Sequence, residues 1–129
     1  MNDKVLIDTG AWIDFLRAKE GQLGDEVATA IEQGNALFCS VTIAELLQGA
    51  KGPKEARQLE FLFANVECLA IEHVDWISAG HNLQTLRNKG FQIPLTDALI
   101  ASLANRHQVA VLTIDAHFRH LDVRLASGA

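Results

Sequence analysis

The sequence predicts an α/β fold with three layers, in which a central, mainly parallel sheet is flanked by helices. Four short apolar, partly β-branched runs have the pattern of buried strands, and six longer segments carry apolar residues at helical spacing. Strands and helices that alternate along a chain need crossover connections, which favour a parallel sheet covered on both faces. Glycine and proline occur without a linker or a repeat, so residues 1–129 are interpreted as a single domain.

The strands are predicted from the runs VLI, ALFCSV, VECLAI and VAVLTI, which cover residues 5–7, 36–41, 66–71 and 109–114. The helical segments cover residues 11–17, 23–33, 43–50, 54–64, 74–88 and 97–106. In the fifth segment the apolar spacing is carried by Trp76, Ala79, Leu83 and Leu86, and Gly90 follows as a stop signal. The sixth, DALIASLANRH, is almost entirely apolar or small, which predicts a buried helix.

The chain has no apolar run long enough to cross a bilayer, and its first residues, MNDKVLIDTG, do not have the pattern of a signal peptide. We therefore expect a cytoplasmic protein without a membrane partner. Cys39 and Cys68 lie in strand-like runs without paired spacing, so we expect both to be reduced core residues.

Four acidic residues fall at related places in the predicted fold. Asp8 closes the first strand and Asp115 closes the last. Glu45 lies at the start of the helix after the second strand, and Asp97 opens the buried helix. In an open parallel sheet, strand C-termini and helix N-termini share one edge, where ligand crevices form. We expect three of the acids to gather at this edge, and Asp97 to join them if its helix starts there.

Each acid alone also has a structural interpretation. Asp8 and Asp115 could cap helices, Asp97 could favour the positive end of a helix dipole, and Thr42 with Glu45 fits a capping box. Together, four carboxylates in one crevice would repel one another and retain protons unless a cation neutralised them. Oxygen ligands favour Mg²⁺ or Mn²⁺. Because such a cation polarises a phosphodiester and activates a bound water, the pattern predicts phosphodiester hydrolysis.

The formal net charge of −5 at first argues against a nucleic-acid partner, since phosphate contacts come from lysine and arginine. Without the four candidate ligands, the 16 acidic residues fall to 12, against 11 lysines and arginines. The remaining surface is nearly neutral, so the charge balance is compatible with nucleic acid.

The segments VLIDTGAWIDFLR, SVTIAELLQGA, LTDALIASLA and VLTIDAHF, in this order, resemble the four acidic motifs of PIN-domain ribonucleases. In particular, they look like those of VapC-like toxins from bacterial type II toxin–antitoxin pairs. The resemblance extends over essentially the whole chain. Two positions depart from the family pattern: Gly10 stands where a polar or β-branched residue is more usual, and His117 stands where an acidic or basic residue is common.

The resemblance implies a PIN-like fold and a Mg²⁺-dependent endoribonuclease whose catalytic and metal-binding residues are Asp8, Glu45, Asp97 and Asp115. It makes Asp8 and Asp97 the direct metal ligands. Glu45 and Asp115 would complete the acidic pocket and position metal-bound water. Thr9 and Thr113 match polar positions that support the pocket in this family.

The resemblance also implies the partners of the protein. They are an RNA substrate, a second copy of the chain in a homodimer, and a cognate antitoxin whose C-terminal segment blocks the pocket.

Three other interpretations use the same residues differently. In a phosphoryl-transfer or receiver-like α/β domain, a strand-end aspartate accepts phosphate beside Mg²⁺. In a non-catalytic PIN-like RNA-binding module, the acids serve only as caps. A zinc site built from His107, His117 and His120 is the third, but no cysteine or acid–histidine box accompanies these residues, so they are interpreted as surface or core histidines.

Overall fold

The four strands form one parallel sheet in the order β3-β2-β1-β4. The structure is a computed structural model that describes residues 3–17 and 21–126, apart from the side chain of Gln22. The ends of the predicted domain, residues 1–2 and 127–129, and residues 18–20 lie outside the described residues. The strands are β1 (Val5–Ile7), β2 (Ala36–Cys39), β3 (Glu67–Leu69) and β4 (Ala110–Leu112). The predicted parallel sheet is confirmed for these strands.

Six helices connect and cover the strands. They are α1 (Thr9–Leu16), α2 (Gln22–Glu32), α3 (Ser40–Gln48), α4 (Pro53–Asn65), α5 (His73–Asn88) and α6 (Leu95–His107). A short 3₁₀ helix, Ala116–His120, follows β4. Each α-helix corresponds to one of the six predicted segments. No helix in the described part of the chain is long and apolar enough to cross a membrane.

Neighbouring residues of each strand enter two different apolar clusters, because successive side chains of a strand point to opposite faces of the sheet. Leu6, Leu37 and Val111 pack with residues of α5 and α6. The residues that follow them, Ile7, Phe38 and Leu112, pack with α1, α2, α3 and α4. The sheet therefore has helices on both faces, which confirms the predicted three-layer α/β fold.

Helix α6 lies almost entirely in the core, as its composition predicts. Its residues from Ala98 to Ala104 are all buried. At its last turn, Arg106 makes two hydrogen bonds of 2.8 Å to the carboxylate of Asp75 in α5. The Arg106 side chain holds the pKa of this buried carboxyl below its ordinary value. The pair joins the two helices that cover one face of the sheet.

The boundary between β2 and α3 differs from the prediction. The strand ends at Cys39 and the helix begins at Ser40, although the strand is predicted to extend through Val41 and Thr42 is predicted as the cap of the next helix. Tertiary contacts override the β preference of these branched residues, since the Thr42 hydroxyl lies 3.0 Å from that of Thr9 in α1. Thr42 is therefore inside α3, and the capping box with Glu45 is wrong.

The two cysteines do not share one environment. Both are free thiols, as expected, and Cys39 is buried, but Cys68 is exposed. Cys68 lies in β3, which is an edge strand of the sheet, so the expectation that both cysteines belong to the core is wrong for this residue.

Candidate metal centre

Asp8 and Asp115 follow adjacent strands and lie at the same edge of the sheet. β1 pairs in parallel with β4, with Leu6 opposite Val111, so the two chains leave the sheet side by side. Each aspartate then caps the helix that comes next. Asp8 Oδ1 accepts a hydrogen bond from the backbone N–H of Ala11 at 2.7 Å, and Asp115 Oδ1 accepts one from His117 at 2.9 Å. The capping interpretation is thus correct for both, and it fixes where their carboxylates point.

Glu45 and Asp97 reach the same region from helices. Glu45 lies in the second turn of α3 rather than at its start, because this helix begins directly after β2. Asp97 lies in the first turn of α6. A cavity of about 430 Å³ is lined by both residues together with Asp8, Thr9 and Asp115. The structure therefore brings the four predicted acids to one cavity.

Asp8 is the most enclosed of the four acids, with 6% of its surface exposed. Burial raises the pKa of its carboxyl above the ordinary value. Hydrogen bonds from the Thr113 hydroxyl and the Ala11 N–H act in the opposite direction because they favour the charged form. The negative charges of Asp115 and Asp14 raise the pKa further, which indicates that the acids share one electrostatic environment.

Thr113 connects two of the acids. Its hydroxyl donates a hydrogen bond to Asp8 Oδ2 and accepts one of 2.9 Å from the backbone N–H of Asp115. Only 1% of this threonine is exposed. Because donor and acceptor are both used, the hydroxyl fixes the Asp8 carboxylate relative to the chain that carries Asp115.

Thr9 has the corresponding role for Glu45, which lines the same cavity. Its hydroxyl donates a hydrogen bond of 2.7 Å to Glu45 Oε1 and lies 3.0 Å from the hydroxyl of Thr42, which is fully buried. This contact orients the Glu45 carboxylate. Thr9 and Thr113, the two predicted supporting residues, thus each touch one of the four acids.

Asp97, Asp115 and His117 form the tightest group. His117 Nδ1 lies 3.1 Å from Asp97 Oδ2 and 3.1 Å from Asp115 Oδ1. Burial, followed by the charge of Asp115, raises the pKa of Asp97 to about 6, and the His117 contact opposes this rise. Positive charge near Asp97 would therefore favour its ionised form.

The structure corrects the interpretation of the histidines. His117 contacts two of the acids instead of being an ordinary surface residue, because Asp115 caps the turn that carries it. His120 stacks on Phe91, with ring centroids 4.2 Å apart. Within the described ranges, His107, His117 and His120 form no common metal-binding group.

Two other residues were missed by the sequence interpretation. Asp14 lines the cavity from α1, four residues after Gly10, which also lines it. Residues four apart share one face of a helix, so this spacing is a signal that could have identified Asp14. Thr42 was considered only as a helix cap. Its contact with Thr9 joins positions 33 residues apart, so no local sequence pattern predicts this contact.

The donor set fits a divalent cation. Four carboxylates line one cavity, and two of them, Asp8 and Asp97, have raised pKa values. Among the described residues, Asp97, Asp115 and His117 each offer one ligand atom, and these three atoms lie within 4.8 Å of one another. A bound cation would remove the repulsion between these groups and keep them ionised.

Comparisons with known proteins agree with this geometry. The model of the PIN domain family matches residues 5–124. The chain is 30% identical over 118 residues to the ribonuclease VapC11 of Mycobacterium tuberculosis, which is 88% of each chain.

Solved structures have the same fold. A DNA-bound VapBC from Salmonella typhimurium has a TM-score of 0.78 and 21% identity, covering 95% of this chain and 96% of that one. VapBC-5 of Mycobacterium tuberculosis, from the VapBC family of toxin–antitoxin systems, has a TM-score of 0.65 and 21% identity, covering 95% and 99%.

Proposed function

Because this chain belongs to the PIN domain family, we propose that it is a metal-dependent endoribonuclease and the toxin of a bacterial type II toxin–antitoxin pair. The relative with 30% identity is named a ribonuclease, and the similarity extends over 88% of both chains. The observation that carries the proposal is the convergence of Asp8, Glu45, Asp97 and Asp115 on one cavity. We assign these four residues as the catalytic site.

The same four carboxylates are proposed to hold Mg²⁺ or Mn²⁺. When bound, such a cation supplies a Lewis acid for the phosphoryl oxygen and lowers the pKa of a bound water. Asp97 would be a direct ligand, because its carboxylate lies within 4.8 Å of two other potential ligand atoms. Asp8, which accepts hydrogen bonds at both oxygens, would hold a fixed orientation as a second ligand.

Two threonines keep the acids in place for this chemistry. Thr113 aligns Asp8 with the chain at Asp115, and Thr9 holds one oxygen of Glu45. The other oxygen of Glu45 is then available to accept a proton from a water in the cavity. A general base must lie within hydrogen-bond reach of the proton that it removes, and Glu45 lines the same cavity as Asp97.

The proposed partners follow from the family. We propose RNA as the substrate, a cognate antitoxin that blocks the cavity, a homodimer, and a cytoplasmic location where cellular RNA is accessible. Residues 1–129 would form a single PIN domain.

The decisive experiment measures cleavage of total RNA by the purified chain with Mg²⁺, with Mn²⁺ and with EDTA. Asp97→Asn should reduce cleavage by several orders of magnitude, because it removes a charged ligand. The matched control is Asp25→Asn, which makes the same change at an exposed position in the first turn of α2 and should cleave as the wild type does. Cleavage that persists equally in EDTA and in Asp97→Asn would contradict the proposal.

The same preparation distinguishes a nuclease from a receiver-like domain and from a non-catalytic RNA-binding module. A receiver-like domain would form an acid-labile phosphoaspartate with a small phosphodonor and would not cut RNA. A non-catalytic module would bind RNA without cleavage, and its binding would not change in Asp97→Asn.

A further inference from the structure

His117 occupies a position that the four-acid site does not explain. Its Nδ1 lies 3.1 Å from a carboxylate oxygen of Asp97 and 3.1 Å from one of Asp115. These two acids reach the histidine from separate elements, since Asp97 belongs to α6 and Asp115 precedes the 3₁₀ helix. His117 lies in the short 3₁₀ helix after β4, and 44% of its side chain is exposed.

The spacing of these three atoms matches the spacing of ligands around one metal ion. Nitrogen and oxygen ligands lie about 2.0–2.2 Å from divalent cations, so neighbouring ligands at right angles are about 3.0 Å apart. Both nitrogen–oxygen distances of His117 are 3.1 Å, and one ligand atom from each of the three residues lies within 4.8 Å of those of the other two. A cation can therefore contact all three without a large movement of the chain.

The turn that carries His117 also restricts where its ring can go. Asp115 Oδ1 accepts the backbone N–H of His117 at 2.9 Å, and Thr113 accepts the backbone N–H of Asp115 at 2.9 Å. The backbone of His117 is thus tied to one of the proposed ligands. Because these hydrogen bonds use the backbone and not the ring, the imidazole can exchange a carboxylate contact for a cation while the turn keeps its hydrogen bonds.

We propose that His117 donates Nδ1 to the metal centre, so that this site binds Mn²⁺ in preference to Mg²⁺. This inference rests on the proposed function, because it concerns a ligand of the same centre. Mg²⁺ is held by carboxylates, phosphates and water. Carboxylate and water also suit Mn²⁺, but Mn²⁺ belongs to the first-row series of ions that bind sites of nitrogen and oxygen ligands, so a nitrogen ligand shifts the balance from Mg²⁺ towards Mn²⁺. Asp97 and Asp115 with His117 form a mixed oxygen and nitrogen set, unlike the all-carboxylate set that the sequence motifs predict. In this state the proton of the imidazole lies on Nε2.

The direct test is pulsed electron paramagnetic resonance of the full chain loaded with one equivalent of Mn²⁺. A bound imidazole gives a nitrogen modulation that carboxylate and water ligands do not give. The wild type should show it, His117→Gln should lose it, and His120→Gln should keep it. His120 is a matched control because it lies in the same 3₁₀ helix but stacks on Phe91. Thermal unfolding of each variant establishes that it is folded.

A second measurement compares metal affinities by calorimetry with MnCl₂ and with MgCl₂. We expect His117→Asp to bind Mg²⁺ and to lower the preference for Mn²⁺ by about tenfold or more, in the range by which changes near a metal alter its affinity. This variant puts a carboxylate ligand in the place of the neutral imidazole. It therefore separates a change of ligand type from a simple loss of binding.

The outcomes distinguish this inference from the proposed function. If Mn²⁺ binds and RNA is cut, but the nitrogen modulation is absent or persists in His117→Gln, the inference is overturned and the nuclease assignment stands. If neither cation binds and RNA is not cut, both fail together. Loss of the modulation in His117→Gln alone, with a lower Mn²⁺ preference in His117→Asp, supports the inference.

Discussion

Asp97→Asn is expected to stabilise the metal-free protein at neutral pH while it abolishes cleavage. Burial and the charge of Asp115 raise the pKa of Asp97 from 3.8 to about 6. A shift of this size corresponds to about 3 kcal/mol of unfavourable free energy for the ionised form in the folded state. This shift already includes the opposing effect of His117. Asparagine removes the charge but leaves a partly buried amide, so we expect a net gain of about 1–2 kcal/mol in the free energy of unfolding.

The difference in stability between the wild type and Asp97→Asn should depend on pH. A carboxyl with a raised pKa in the folded state contributes stability that is present below about pH 4 and is lost as pH rises through about 6. The wild type therefore regains stability on acidification from pH 7.5, and the variant does not. The advantage of Asp97→Asn should be largest at pH 7.5 and should shrink steadily towards pH 4.5.

The assay is urea denaturation in EDTA at several pH values, followed by the fluorescence of the buried Trp12. The difference in the free energy of unfolding between the two proteins is compared, because the contributions of titrating groups that do not interact with Asp97 cancel in it. Saturating Mn²⁺ should reverse the order, since a ligand at about 100 times its dissociation constant stabilises the folded wild type by about 2.7 kcal/mol. A variant that is less stable than the wild type at pH 7.5 in EDTA, or a difference that does not depend on pH, would refute this reasoning.

Three further predictions concern the residues around the acids. Thr113→Val should lower the free energy of unfolding by about 1–3 kcal/mol, because it leaves a buried carboxylate oxygen of Asp8 without its donor. Thr113→Ser keeps the hydroxyl and should retain most of the wild-type stability; urea denaturation measures both variants. Thr9→Val should reduce kcat for RNA cleavage more than it changes metal affinity, since it releases Glu45; an unchanged kcat would count against the role of that contact. At limiting metal, cleavage should rise with pH through about 6 as Asp97 ionises, and a higher metal concentration should move the midpoint of this profile to lower pH.

Much of the fold could be predicted because its elements follow local patterns. The four apolar runs mark the strands, although β2, β3 and β4 each end two residues earlier than predicted. Asp8 and Asp115 could be placed at one edge because Asp8 directly follows β1, Asp115 lies three residues after the end of β4, and parallel strands end at the same side of a sheet. Asp97 could be placed only if its helix started there, which depends on tertiary structure.

The remaining features depend on contacts between distant parts of the chain. His117 meets Asp97 across 20 residues, and no periodicity predicts that meeting. Thr42 joins α3 because of its contact with Thr9, against the strand preference of a β-branched side chain. Cys68 is exposed because β3 lies at the edge of the sheet, a place that strand order determines and composition does not.

The hydrogen bond between Thr113 and Asp8 joins residues 105 positions apart. The first and last of the four acids are therefore aligned only after β1 has paired with β4, which is a late contact for a chain made in order from its N-terminus. A nascent chain that has not reached Thr113 contains three of the four acids but lacks the contact that aligns Asp8. The complete four-acid cavity would therefore form only when β4 has been made and has paired with β1.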